Sequence, residues 1–127
     1  MIVLLDTTIL IDVLRNRLNR RALLIELVER GSTLATTAIN IGEVYAGMRP
    51  AEEAATEAFL SNLECYPITA AIARRAGSLK STRAKRGQTL TLADMMVAAT
   101  ALEHKLTLMT DNLKDFPLPE LNISPLP

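Results

Sequence analysis

Short apolar runs alternate with stretches of helical spacing from one end of the chain to the other, and no other feature restricts the possible folds as much. Ile2-Val3-Leu4-Leu5 is unbroken, rich in β-formers and closed by Asp6-Thr7-Thr8. That is the signature of a strand buried on both faces, as parallel sheets require. Thr33-Leu34-Ala35-Thr36, Cys65-Tyr66-Pro67-Ile68 and Leu106-Thr107-Leu108-Met109 read as further strands, with Ile123 as a strand remnant. Pro67 points to an edge strand or a strand start, because proline donates nothing to a ladder.

Between these runs lie helix signals. Asp6-Thr7-Thr8 suits the cap of a short helix through Val13. Asn19 is the candidate cap of a second helix, with Ala22, Leu23, Ile25, Leu27 and Val28 on a broad apolar face and Gly31 as its stop. Asn40 is the candidate cap of a helix carrying Ile41, Val44, Tyr45 and Met48, and Pro50 opens another with Ala51 to Leu63 as its body. Thr69 caps an Ala-rich helix from Ala70 to about Lys85, closed by Gly87, and Thr91 or Thr89 caps Leu92 to His104. This order predicts an α/β fold with a mostly parallel sheet of four or five strands, helices on both faces and right-handed crossovers. Ligands in such sheets bind at the carboxyl ends of the strands, which sets the search area. A length of 127 residues suits one domain covering 1–127.

Composition removes several chemistries. The chain has no Trp, two Tyr and two Phe, so base stacking on an aromatic platform is not expected. Cys65 is the only cysteine and His104 the only histidine. That excludes an internal disulfide and zinc sites of several Cys and His ligands, and leaves His104 as the sole base for any serine or thiol triad. Cys65 reads as a small buried hydrophobe and His104 as a surface or helix-end residue. A bound metal would be held by oxygen, which favours magnesium or manganese. Met1 to Leu5 is too short for a signal-peptide core or a spanning helix, so a soluble cytoplasmic protein is expected. There is no phosphate-cradling Walker loop.

Formal charge is zero but unevenly spread. Arg15, Arg17, Arg20 and Arg21 fall in an acid-free stretch, and so do Arg74, Arg75, Lys80, Arg83, Lys85 and Arg86. One-sided basic stretches suit a polyanion, although solvated helix faces carry the same pattern.

The acids supply the sharper signal. Asp6 follows the first strand directly; Asp111 and Asn112 follow the last clear one, with Asp115 a turn later. Glu43 and Asp94 lie three residues after Asn40 and Thr91, which is also the spacing of a capping box. Both sit in apolar segments, where a lone carboxylate needs a partner or loses its charge. Converging carboxylates repel one another, and a divalent cation reverses that sign. On a helix, Ala98 and Ala101 share a face with Asp94, and this small stripe lets the helix approach the sheet with Asp94 at its carboxyl edge.

Four segments in this order resemble the PIN-domain ribonucleases and, among them, the VapC toxins of bacterial toxin–antitoxin pairs. They are Leu4-Leu5-Asp6-Thr7-Thr8, Glu43-Val44-Tyr45-Ala46-Gly47, the run from Leu92 to Ala101 beginning Leu92-Ala93-Asp94-Met95, and Thr110-Asp111-Asn112-Leu113-Lys114-Asp115-Phe116. The resemblance covers nearly the whole chain. It implies a PIN-like three-layer sandwich, a homodimer and magnesium-dependent RNA cleavage, with manganese as a plausible substitute. Asp6, Glu43 and Asp94 match the principal acidic residues, Asp6 and Asp94 as direct metal ligands. The fourth acidic position lands on Asn112; Asp115, ahead of Asp111, is the replacement carboxylate, since strand alternation turns Asp111 away from the side that Thr110 faces. Thr8 stands where the family usually has Asn or Ser.

On this resemblance Glu43 orients the attacking water or takes its proton, and Thr7, Thr37 and Thr110 position waters or carboxylates, although each Thr also suits backbone capping. The basic run from Arg74 to Arg86 is expected to hold the RNA backbone. A cognate small antitoxin is the expected partner, with Leu14, Leu18, Leu23, Leu24, Leu27, Leu60 and Leu63 as apolar surface where the core does not claim them; DNA contact is expected only through the antitoxin. Two other readings stand beside it. Asn112 favours a non-catalytic interaction domain with a degenerate site. A phosphotransfer domain would need an acid at Thr8 or Leu5.

Overall fold

The Ile2–Leu5 strand, β1, becomes the centre of a five-stranded sheet because it is apolar on both faces and can be covered from both sides. The computed structural model describes residues 1–126. Its other strands are β2 (Thr33–Thr37), β3 (Glu64–Tyr66), β4 (Thr107–Met109) and β5 (Asn122–Ser124). The order is β3-β2-β1-β4-β5 and every pairing is parallel. The helices are α1 (Thr7–Leu14), α2 (Arg20–Glu29), α3 (Ala38–Ala46), α4 (Glu53–Leu60), α5 (Ala70–Ala84) and α6 (Leu92–His104), with 3-10 turns at Pro50–Glu52 and Leu113–Asp115.

Strand alternation divides the core. Val3, Leu5 and Met109 face one way and pack with Ile9, Leu10 and Val13 of α1, Leu24 of α2, Val44 of α3 and Leu60 of α4. Leu4, Ala35 and Leu108 face the other way and pack with Ile72 and Ala76 of α5 and Met95, Ala98 and Ala101 of α6. The result is three layers. The small stripe faces the sheet: Ala98 and Ala101 are buried in the same cluster as Leu4, Ala35 and Leu108.

Connectivity places the crevice. The chain winds from β1 outward to β2 and β3, then returns to β4 on the opposite side of β1. That reversal makes the β1–β4 junction a topological switch point, where the strand ends leave room for a ligand. Leu5 lies opposite Met109 and Leu4 opposite Ala35, so Asp6, Thr110 and Thr37 come out level at one edge.

Several local expectations change. Asn19 has a left-handed backbone and makes no capping bond with its side chain. Thr37, not Asn40, caps α3; Asn40 lies three residues inside and closes a capping box back to Thr37. The stretch after Pro50 starts as a 3-10 turn, and α4 is shorter than Ala51 to Leu63. The third strand is Glu64–Tyr66 and stops before Pro67, at the sheet edge. Cys65 is exposed there rather than buried, because an edge strand of three residues has one side open. His104, at the end of α6, is exposed, and its ring lies 4.5 Å from that of Tyr66. Among the described residues no helix is long and apolar enough to cross a membrane.

Candidate active site

Asp6 is the buried centre of the carboxyl edge. It caps α1, accepting the Thr7 N–H on Oδ1 at 2.9 Å. Its other oxygen, Oδ2, accepts the Thr110 hydroxyl at 2.8 Å. Burial pushes its pKa up; the bonds from Thr110 and Thr7 oppose that, and the charges of Glu43 and Asp111 reinforce it.

A second polar chain enters from α3. The buried Thr37 hydroxyl donates to Asn40 Oδ1 at 2.7 Å, Asn40 Nδ2 donates to Thr7 Oγ1 at 2.9 Å, and the Thr7 hydroxyl donates to Glu43 Oε1 at 2.7 Å. Each hydroxyl has one proton, so the order Thr37, Asn40, Thr7, Glu43 has a single direction. Glu43 is exposed but anchored at one oxygen, with no capping role. Sequence reasoning missed Asn40 as part of the site, treating it as a cap. Its signal was a polar amide in an apolar segment, which must be satisfied when fully buried.

Asp94 enters from the first turn of α6, where the Thr91 hydroxyl caps its backbone N–H at 3.0 Å. Burial raises its pKa, the Thr91 hydroxyl opposes the rise, and the charges of Asp6, Asp115 and Glu43 add to it. Four carboxylates from separate segments therefore share one rim. Asp115 is half-buried in the 3-10 turn after β4.

The Thr110–Asn112 segment separates the roles of Asp111 and Asn112. Asn112 donates its backbone N–H to Thr110 Oγ1 at 3.0 Å and its amide to Thr8 Oγ1 at 3.1 Å. Asp111 turns away and pairs with Arg20 at 3.1 Å. Asp115 is the carboxylate after β4 whose charge acts on Asp94, and Asn112 is a brace between the first and last segments of the site. Thr8 joins it there.

The basic run is split along α5. Arg75 pairs with Glu103 at 3.4 Å, at the end of α6 remote from Asp94. Arg74, its neighbour, is exposed there. Lys80 is tied to the Leu90 carbonyl at 2.6 Å, and Arg83 to Gln88 at 3.5 Å. Lys85 and Arg86 are exposed in the connection leading toward Asp94.

Of the apolar surface residues, Leu24, Leu60 and Leu63 belong to the core, while Leu18 is 71% exposed. An open apolar groove of about 860 Å³ runs between α2, α4 and the start of β2, with Leu14, Ile25, Val28 and Phe59 on its walls and Arg21 and Glu29 beside them.

Residues 3–117 match the PIN domain family. The chain is 36% identical over 115 residues to Ribonuclease VapC19 of Mycobacterium tuberculosis, a match covering 91% of this chain and 92% of that protein. Among solved structures, VapBC2 from Rickettsia felis bound to a DNA fragment from its promoter superposes with a TM-score of 0.85 at 25% identity, covering 98% of both chains. A toxin–antitoxin complex from Klebsiella pneumoniae superposes with a TM-score of 0.80 at 30% identity, covering 97% of this chain and 96% of that one.

Proposed function

The chain belongs to the PIN-domain family, and from that premise we propose that it is a VapC-type endoribonuclease toxin, a single domain over 1–127 that cuts RNA phosphodiester bonds with a divalent cation held at the Asp6–Asp94 rim. The observation that carries the reading is the shared rim itself. Burial raises both Asp6 and Asp94 from their ordinary carboxylate value, and at Asp94 the charges of Asp6, Asp115 and Glu43 all add to that rise. A fold with no use for a cation gains nothing from that repulsion.

The donor set suits magnesium, with manganese as a substitute. All the available ligands are hard oxygens. Among the described residues no three Asp, Glu, His or Cys side chains lie close enough to enclose an ion together. Magnesium is commonly held by one or two carboxylates while keeping several waters, which agrees with Asp6 and Asp94 as its protein ligands. When bound, the cation holds a phosphate oxygen and acidifies water.

The protein's own groups orient the reaction. Thr7 and Thr110 fix both oxygens of Asp6, so its carboxylate cannot rotate. Glu43 is held at Oε1 by Thr7, leaving Oε2 to take the proton of a water aligned with the phosphorus. As the water oxygen bonds to phosphorus, the P–O3′ bond breaks and O3′ takes a proton from solvent water, leaving a 3′-hydroxyl and a 5′-phosphate. Lys85 and Arg86 lie where they can hold the RNA backbone outside the rim, with Lys80 and Arg83 bracing the same connection; Arg74 and Arg75, at the other end of α5, reach only a long substrate.

The partner is a small antitoxin seated on the apolar groove between α2 and α4, since the structural relatives include toxin–antitoxin complexes. In this reading the protein is a cytoplasmic homodimer, and DNA is met through the antitoxin. The test is sequencing of cleaved RNA ends after brief induction of the wild type, Asp6→Asn and Asp94→Asn. Defined 5′-phosphate ends should appear for the wild type only. Cleavage retained in both variants would refute the assignment, and a wild type with no magnesium site in the millimolar range would favour a non-catalytic interaction domain.

A further inference from the structure

We propose that Arg20 is a positioning residue for this site: it clamps Asp111 and thereby holds the Thr110–Asn112 turn in the geometry that braces Asp6. Its activity arm rests on the ribonuclease reading above. Among the described residues only three charged side chains are buried, Asp6, Asp12 and Arg20, and two of them form this cluster. Arg20 Nε lies 3.6 Å from Asp12 Oδ2, and an outer guanidinium nitrogen donates to Asp111 Oδ2 at 3.1 Å. Asp12 lies on α1, Arg20 on α2 and Asp111 beyond β4, so the cation ties three segments together.

Local structure does not explain Arg20. It is the first residue of α2, at the positive end of the helix dipole, where a cation is disfavoured. No acid sits in that first turn and Asn19 supplies no side-chain cap. The connection before it holds Asn16, Leu18 and Asn19 at positive φ, a conformation that asparagine tolerates and Leu18 resists. A cation at the wrong helix end, after a strained turn, points to a tertiary purpose.

That purpose is visible in what Asp111 adjoins. Thr110 on one side donates to Asp6, and Asn112 on the other bonds to Thr110 and Thr8. Between the buried Met109 and Phe116 the segment has no apolar anchor, with Leu113 57% exposed. Asp12 and Arg20 make an ion pair without a hydrogen bond, as Asp12 Oδ2 and Arg20 Nε have no hydrogen-bond partner. Asp12 thus balances the buried charge, while Asp111 takes the directional bond. The clamp also sets a cation against the one carboxylate near Asp6 that turns away from the rim.

The test compares Asp111→Ala, Arg20→Lys and the double variant. Asp111 is one-third exposed, so its truncation leaves Arg20 still facing Asp12 and the fold intact. In metal-free protein, amide exchange at Asn112 should accelerate about tenfold or more in each variant, with β4 amides unchanged. RNA cleavage should lose on the order of tenfold or more in kcat at similar KM, because misplacement by a fraction of an ångström suffices for this. The double variant should be no worse than the poorer single. Unchanged Asn112 exchange in Asp111→Ala, or losses that simply add, would overturn the clamp. If the wild type cleaves no RNA, the ribonuclease reading fails, and the exchange measurement still decides the clamp.

Discussion

Thr110 donates its hydroxyl to Asp6 Oδ2 at 2.8 Å across a sequence separation of 104 residues. The two meet because β4 pairs with β1 with Met109 opposite Leu5, so the residue leaving each strand arrives at the same level. Thr110 Oγ1 also accepts the Asn112 N–H, which commits its only proton to Asp6. Asp6 is 5% exposed, and water cannot readily replace that donor.

Thr110→Val, which keeps the shape and removes the donor, should therefore lower stability at neutral pH by about 2 kcal/mol, the usual scale for a hydrogen bond to a charged group. Thr110→Ser should recover most of it. Urea melts of the three proteins at pH 7 check this; equal midpoints would show that the bond contributes nothing.

Asp6 and Asp94 both have folded pKa values above 3.8, with burial as the largest cause. Between the unfolded and the raised folded value the native state binds more protons than the unfolded one, so stability falls as pH rises through that window. In chelator, Asp94→Asn should melt a few degrees above the wild type at pH 7, and the gain should vanish below pH 3.8. Millimolar magnesium should raise the melting temperature of the wild type and not of the variant. Calorimetric scans across pH, with and without the ion, make both comparisons.

Thr7 passes the Thr37–Asn40 chain on to Glu43. Thr7→Val should release Glu43 and cut kcat on the order of tenfold or more, while Thr7→Ser keeps the relay and most of the rate. Single-turnover cleavage of a defined RNA distinguishes them, and equal rates for the two variants would remove Thr7 from the mechanism.

Ile25 and Val28 are 53% and 54% exposed on the groove wall, so an acid at either position should leave folding intact. Ile25→Asp and Val28→Asp should weaken antitoxin capture at least tenfold without changing RNA cleavage by the free toxin. Co-purification with the antitoxin and a cleavage assay read the two effects separately. Unaltered capture would place the antitoxin elsewhere.

Features that depend on a few neighbouring residues were legible in the sequence. Asp6, Thr69 and Thr91 cap helices where their side chains had a free helix N-terminus within reach. The unbroken run Ile2–Leu5 became the central strand because nothing in it needed solvent. Asn40 and Cys65 were misread for the opposite reason. Whether a buried amide caps its own helix or reaches Thr7, and whether a short strand is covered, depends on segments far away in the chain.

The same division runs through the site. Alternating apolar runs, caps and the spacing of the acids determined an α/β chain with Asp6, Asp94 and Asp115 near segment ends and Glu43 within a helix, because periodicity and capping act over a few residues. Strand alternation already ranked Asp115 ahead of Asp111, but only the tertiary structure decided that Asn112 braces Thr8 and that Arg20 draws Asp111 aside. These outcomes follow from strand order and register, which bring distant segments within hydrogen-bonding distance. In a buried site a polar group must take the partner that geometry supplies.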